Sequence, residues 1–369
     1  MNEKIKCLKE RLKGKNIQGM IVSNPVNIRY LTGINAEGIL LITRKENFYI
    51  TDSRYIEEAN SKLTIDDDII VYNFRDISPY DYENFFSFCE NVGFEENYIT
   101  YAMYKNYQVK FKANNLEETE NIIENQRMIK DEKEIEKLKK ACEITDNCFK
   151  HLINYIKIGM TEKEIAFEIE KYFLTNGADG VAFETIVASG ANSSKPHATV
   201  TNKQIEYGDV ITIDFGCKYE GYCSDMTRTI FAGEIAGKVK KVYDLVLKNQ
   251  LQTLEDMKEG ASIRIISRNV DNDFRLHGFD MIHSLGHGVG LDIHEKPYIN
   301  SKNDNLLKEN MVVTDEPGIY LPENFGIRIE DTVLITKSGC ITLTNSDKNY
   351  IIVDEKYKNN ESIDFVSEK

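Results

Sequence analysis

The sequence predicts an α+β protein with two domains and a tail: a small α/β domain over residues 1–128, a larger domain over 129–355, and a polar tail over 356–369. Three observations predict it. Before residue 128, short helical and strand patterns alternate. A sharply marked helix start follows at Asp131. From Val181 onward the chain reads mainly as strands, with two further helical stretches. The length, 369 residues, suits two domains of about 150 residues each.

Each element has its own warrant. Residues 3–14 form a charged amphipathic helix. Met20-Ile21-Val22 is a short buried strand, ended by Asn24-Pro25. Residues 38–43 and 48–51 read as a hairpin pair, and 69–72 as another strand. The polar stretch 114–133 holds the boundary, near 127–130. Asp131 caps the next helix with Glu134 as its reciprocal partner, and Ile135, Leu138, Cys142, Phe149 and Leu152 supply its apolar stripe. Thr161 with Glu164 opens a second helix running to about Leu174, which Gly177 and Gly180 end. Helices recur near 238–257 and 263–274, and the last fifteen residues are polar and expected to fray.

Composition excludes several classes. Lysine and arginine total 46, aspartate and glutamate 60, and the net charge is -14, which argues against nucleic acid or an anionic membrane as a partner. The longest apolar run, around 39–42, is far short of the ~20 residues of a membrane helix. The N-terminal helix lacks the apolar core of a signal peptide. Seven cysteines, with no Cys-x-x-Cys spacing, point to reduced thiols and a cytoplasmic location.

The chemistry concentrates between residues 183 and 332. Asp214 sits in the apolar strand Val210-Ile-Thr-Ile-Asp214-Phe-Gly216, and Asp225 follows in Tyr222-Cys-Ser-Asp225-Met-Thr-Arg228. A four-residue loop, Lys218-Tyr219-Glu220-Gly221, would pair 217 with 222 and 214 with 225. Opposed carboxylates ~5 Å apart repel unless a cation lies between them. A second hairpin repeats the device: a turn at Pro322-Glu323-Asn324 sets Glu316 opposite Glu330. Between the two lies His283-Ser-Leu-Gly-His287-Gly-Val-Gly-Leu-Asp-Ile-His294-Glu295. Glycines at 286, 288 and 290 speak against a helical zinc motif and for a backbone passing close to a site. A fourth histidine, His197, follows Lys195-Pro196.

Taken singly, these residues are bland. An acidic residue in a strand usually faces solvent, and a histidine beside glycine is usually surface or core. Two carboxylate hairpins and a histidine-glycine segment within about 120 residues rarely coincide by chance. Cys217 and Cys223, not opposed in this register, read as packing, and Asp292, Glu295, Asp315 and Asp331 as residues behind the ligands or in solvent. Four carboxylates balance two divalent cations and one neutral imidazole completes the set; oxygen-rich, thiolate-free donors favour Mn²⁺, with Co²⁺, Fe²⁺ and Zn²⁺ tolerated. Two such ions sharing a water suit amide hydrolysis.

The order Asp, Asp, His, Glu, Glu, in the contexts IDFG, SDMTRT, GHGVGLDIHE, EPGIY and RIED, resembles the pita-bread dinuclear metallopeptidases. NIRYLTG and TDSRY in the first domain narrow the resemblance to Xaa-Pro aminopeptidases and prolidases, whose N-terminal domain is of the creatinase/prolidase type. The resemblance implies that Asp214 is a two-toothed ligand, that Asp225 and Glu330 bridge two metals, and that His287 and Glu316 complete the second. It implies Glu316 as proton shuttle, His197 and His294 as contacts of the scissile carbonyl, His283 as lining for a proline pocket, and Arg328 and Tyr320 as substrate contacts. It further implies peptides with proline at the second position as substrates, and a homodimer. Departures are Lys195, where the family often has Leu, Asp315, where it is often apolar, and Asn27, where some relatives carry an aspartate. The expected activity is that of an Xaa-Pro aminopeptidase. A strict dipeptidase, with Arg328 or Lys195 holding the free carboxylate, is one rival; a catalytically silent binding module on the same fold is the other.

Overall fold

The computed structural model describes residues 2–63, 68–113, 115–235 and 237–353; the expected tail lies outside them. The chain divides into two compact units, Met1–Arg127 and Met128–Lys369. Among the described residues no helix is long and apolar enough to cross a membrane.

The first unit is built on one mixed sheet. Helix α1 (Glu3–Gly14) is capped by Asn2, which accepts from the Lys4 amide, and buries Ile5, Leu8 and Leu12. Strand β1 (Gly19–Val22) leads into α2 (Pro25–Thr32), capped by Asn24 and closed by Gly33 at φ 76. So Asn24-Pro25 not only ends a strand but starts a helix. Strands β2 (Ile39–Thr43) and β3 (Asn47–Thr51) form the expected antiparallel hairpin. Helix α3 (Ile56–Lys62), β4 (Ile69–Asn73), α4 (Pro79–Asn84), β5 (Asn91–Phe94), α5 (Tyr101–Phe111), β6 (Asn115–Glu118) and α6 (Ile122–Arg127) complete the unit. The strand order is β4-β3-β2-β1-β5-β6, with β4, β5 and β6 parallel to their inner neighbours.

The second unit sets two larger sheets, with a three-stranded and a two-stranded one beside them, against two pairs of helices. Helices α7 (Glu132–Tyr155) and α8 (Glu162–Thr175) both open on capping boxes, Asp131 with Glu134 and Thr161 with Glu164. Strands β7 (Gly180–Val181), β8 (Ile186–Ser189), β9 (Val210–Phe215), β10 (Cys217–Tyr219), β11 (Tyr222–Cys223) and β12 (Met226–Ala232) follow. Leu152, Ile165, Phe173, Ile211, Ile213, Phe215 and Ile230 form the core between α7, α8 and the sheet β12-β9-β8. Helices α9 (Gly237–Asp256) and α10 (Ile263–Leu276) back a second sheet through Val246, Val270, Phe274, Val313 and Val333. That sheet contains β13 (Gly286–Gly288), β14 (Glu295–Ile299), β15 (Val312–Asp315), β18 (Asp331–Ile335) and β19 (Cys340–Thr342), in the order β14-β13-β15-β18-β19. Between β15 and β18 runs the hairpin β16 (Gly318–Leu321) and β17 (Phe325–Arg328); β20 (Ile352–Val353) borders β12.

The first carboxylate hairpin differs from expectation by two residues. Asp214 pairs with Thr227, and Tyr219 with Tyr222. The turn is the two-residue Glu220-Gly221, with φ 46 and 83, because both positions take the left-handed conformation that twisted hairpins favour. A shift of two keeps every side chain on its face. In the second hairpin Asp315 pairs with Asp331 and Gly318 with Arg328, the expected register on both flanks of Glu316 and Glu330.

Candidate metal centre

The five predicted ligands stand where the sheets meet, on breaks in the strands rather than inside ladders. Asp214, near the end of β9, and His287, within β13, are the exceptions. Asp225 lies between β11 and β12. A Cβ on Gly216 would fall 1.9 Å from the Ser224 carbonyl, so only glycine permits the bend that carries Asp225 inward. Thr332 Oγ1 donates to the Asp225 carbonyl at 2.7 Å and fixes it to the second sheet. The Glu330 amide donates to the Thr227 carbonyl at 3.1 Å, and the Glu316 amide to that of Leu285 at 2.9 Å. His287 lies on β13, where a Cβ on Gly288 would meet the Lys296 carbonyl at 2.2 Å. The glycines of this segment serve close strand approach.

Side chains converge on one point. Asp225, His287 and Glu330 each bring a donor atom within 4.8 Å of the others. His287 Nε2 is 3.5 Å from both Asp225 Oδ2 and Glu316 Oε1. Its Nδ1 faces the Gly288 carbonyl at 3.1 Å, which assigns the proton to Nδ1 and leaves Nε2 to the carboxylates. Burial lowers the His287 pKa to about 4, so the imidazole is neutral, the form that ligates. Burial raises Asp225 and Glu330 well above the carboxylate range, and neighbouring carboxylates add to it; Glu316 rises to about 7, again chiefly through burial. Asp214 Oδ2 accepts from Arg328 Nη2 at 2.6 Å, while Oδ1 is buried without a hydrogen-bond partner. Crowded acidic oxygens, one of them orphaned, around a neutral imidazole make a donor set that fits divalent cations. Asp214 thus offers one free oxygen, where the resemblance implies two teeth.

Of the remaining predicted residues, His197, His283, His294 and Arg328 line a cavity of about 470 Å³ together with Asp214, Asp225, His287, Glu316 and Glu330, whereas Tyr320 is not part of its lining. The rings of His287 and His294 meet edge-on at 4.4 Å. Burial lowers the pKa of His294 and takes that of His283 to about 4. Arg328 and Tyr320 act on each other more than on open space: Arg328 donates to the Tyr320 hydroxyl, which also lies 3.0 Å from His283 Nε2.

Several supporting residues went unnoticed in the sequence. Thr227 Oγ1 donates to Glu330 Oε2 at 2.7 Å and accepts from Arg328 Nε at 3.0 Å. Arg228, 1% exposed, donates to the Glu330 carbonyl and, at 2.7 Å, to Asp331. Lys130 forms a buried ion pair at 2.7 Å with Glu295, the latter already expected behind the ligands or in solvent. A threonine or arginine on an apolar strand carries no local pattern that marks such a role. Asp331, expected behind the ligands or in solvent, is wholly buried, as is Asp315, whose two carboxylate oxygens lack hydrogen-bond partners.

A two-sheet framework that aims acidic oxygens and one imidazole into an open cavity defines a metal-dependent hydrolase. The chain belongs to metallopeptidase family M24, whose model matches residues 136–337, and a creatinase/prolidase N-terminal domain matches residues 4–129. It is 36% identical to an Xaa-Pro dipeptidase of Pyrococcus horikoshii over 95% of this chain and 99% of that one. Among solved structures it resembles an Xaa-Pro dipeptidase from Bacillus anthracis (TM-score 0.90, 35% identity, 95% and 99% covered). It also resembles an X-Pro aminopeptidase from Thermotoga maritima (TM-score 0.85, 36% identity, 94% and 99% covered). Family members are divalent-metal-dependent hydrolases.

Proposed function

We propose that the protein is a two-metal exopeptidase that cleaves the bond between an N-terminal residue and proline. The observation that carries the proposal is the convergence of Asp225, His287 and Glu330 in a cavity that His197, His283 and His294 also line. Asp214, Asp225, His287, Glu316 and Glu330 would hold the metals, and Mn²⁺ best fits these oxygen-rich donors. Bound divalent cations would supply Lewis acidity to the scissile carbonyl and to the attacking water. Glu316 would take a proton from that water and deliver it to the leaving proline nitrogen. His197 and His294 orient the scissile carbonyl, and His283 packs on the proline ring. Arg328 and Tyr320 hold this wall through Asp214 and His283.

Aminopeptidase action is the first reading: Arg328, a cation of the cavity wall, is already engaged by Asp214. Dipeptidase action is the second, favoured by relatives named Xaa-Pro dipeptidase. A homodimer in the cytoplasm completes the proposal, and the seven free cysteines fit a reducing compartment. The test is hydrolysis of Xaa-Pro and Xaa-Pro-Yaa peptides with Mn²⁺, with Co²⁺, Fe²⁺ or Zn²⁺, and with chelator. Tripeptide cleavage supports the aminopeptidase, dipeptide cleavage alone the dipeptidase, and the absence of any metal-dependent cleavage overturns both.

A further inference from the structure

We propose that Glu162 is a positioning residue for catalysis, holding the segment that presents His197 to the metal centre. The inference rests on the peptidase reading and extends it to a residue outside the cavity. Glu162 is the first residue of α8 and is 0% exposed. Its Oε1 accepts from the Ser189 amide at 2.7 Å and the Ser189 hydroxyl at 2.9 Å. Its Oε2 accepts from Asn192 Nδ2 at 3.0 Å, the Thr201 amide at 2.9 Å and the Thr201 hydroxyl at 2.6 Å. An ionised carboxylate offers about four lone-pair sites, and these five neutral donors fill them. The N-terminal dipole of α8 adds a favourable field.

The five donors are arranged to close a loop. Ser189 ends β8, Thr201 begins the return, and Asn192 lies between them, so both ends of 189–201 fasten to one side chain. The far side of the loop is held separately. The Gly326 amide donates to Ser193 Oγ at 3.0 Å, and Arg328 Nη1 donates to the Pro196 carbonyl at 3.3 Å. Pro196, His197, Ala198 and Thr199 then form part of the cavity wall. The His197 ring makes no hydrogen bond among the described residues, so its place is set by the backbone beneath it, and Glu162 sets that backbone. A glutamine at 162 turns an amide NH₂ toward two or three donors, and one end of the loop must open.

The experiment uses the full chain loaded with Mn²⁺ and an Xaa-Pro peptide. Glu162→Gln is expected to lower kcat at least tenfold with KM within twofold. Adding it to His197→Ala should leave kcat within twofold of His197→Ala alone, because both act through one ring. Amide hydrogen exchange across 189–201, measured without substrate, should rise at least tenfold in Glu162→Gln and stay unchanged in α7 and α9. Losses that multiply in the double variant, or a change in KM alone, overturn the proposal. Unchanged exchange across 189–201 overturns it whether or not the protein cleaves peptides. Failure of the wild type to cleave any peptide overturns the peptidase reading instead. If Glu162→Gln does not fold, Thr201→Val, which removes one of the five donors, carries the same measurements with smaller expected changes.

Discussion

Replacing Arg228 with leucine tests whether the framework behind Glu330 is held by a buried charge. The guanidinium is 1% exposed and gives all its hydrogen bonds to buried acceptors: the carbonyls of Thr227, Glu330 and Ser346, and Asp331 Oδ1 at 2.7 Å. Asp331 is itself 0% exposed. Removing one partner of a buried pair costs about 3–5 kcal/mol, because the other charge is left stranded. Lys348 still reaches Asp331 and moves the cost toward the lower end, while the Glu330 and Ser346 carbonyls, losing the guanidinium as donor, move it back. The balance is about 4 kcal/mol. For a unit the size of Met128–Lys369, each kcal/mol shifts the melting temperature by about 2–4 °C, so calorimetry should find the second unit melting about 8–16 °C lower. Arg228→Leu with Asp331→Leu should recover part of the loss, since no stranded carboxylate remains. A drop under about 4 °C, or a double variant no better than the sum of the singles, would refute the reasoning.

Four further outcomes follow from the same geometry. Glu316→Gln should cut kcat by about 10²–10⁴-fold, yet leave the melting temperature of the metal-free chain unchanged or higher, because it relieves a crowd of carboxylates. Gly288→Ala should destabilise the second unit by about 1–3 kcal/mol, read by urea titration, since its Cβ would press on the Lys296 backbone. Glu95, buried in the first unit and raised to about 7 mainly by burial, is protonated more readily folded than unfolded. Its contribution to stability is therefore full below about pH 4.5 and lost as pH rises through 7, a change of about 3 kcal/mol that Glu95→Gln should flatten. Mn²⁺ at about a thousand times its Kd should stabilise the second unit by about 4 kcal/mol and leave the first unit's transition in place.

What the sequence revealed of the site, and what it hid, divides along physical lines. The register at Glu316 and Glu330 was legible because Pro322-Glu323-Asn324 marks the turn, and Glu323 indeed takes φ 61 there. The register at Asp214 slipped because Glu220 does not advertise a left-handed turn as asparagine would. Helices α7 and α8 were legible through their capping boxes, local signals that need no tertiary partner. The short helices of the first unit were not, since six- and seven-residue elements such as α4 and α3 carry too few turns for a period. Glu162, one residue past a recognised cap, read as an ordinary first-turn acid; its five donors come from 27 to 39 residues away.

The supporting bonds share a logic that explains how four carboxylates can be crowded together and still serve chemistry. Each is gripped by one oxygen or by its backbone, and another oxygen is left toward the cavity. Asp214 gives Oδ2 to Arg328 and keeps Oδ1 free. Glu330 gives Oε2 to Thr227, and its backbone to Thr227 and Arg228, which keeps Oε1 for the centre. Asp225 is held through its carbonyl by Thr332, and its carboxylate takes a hydrogen bond from the Met226 backbone. Thr314 accepts from the His287 amide at 3.1 Å and lies 3.4 Å from Glu316 Oε1, coupling the ring to the acid it faces. Apart from Arg328 on Asp214, neutral hydroxyls and backbone groups orient the carboxylates without cancelling their charge. Cations at every position would have stabilised the bare fold more and left nothing for a metal to neutralise.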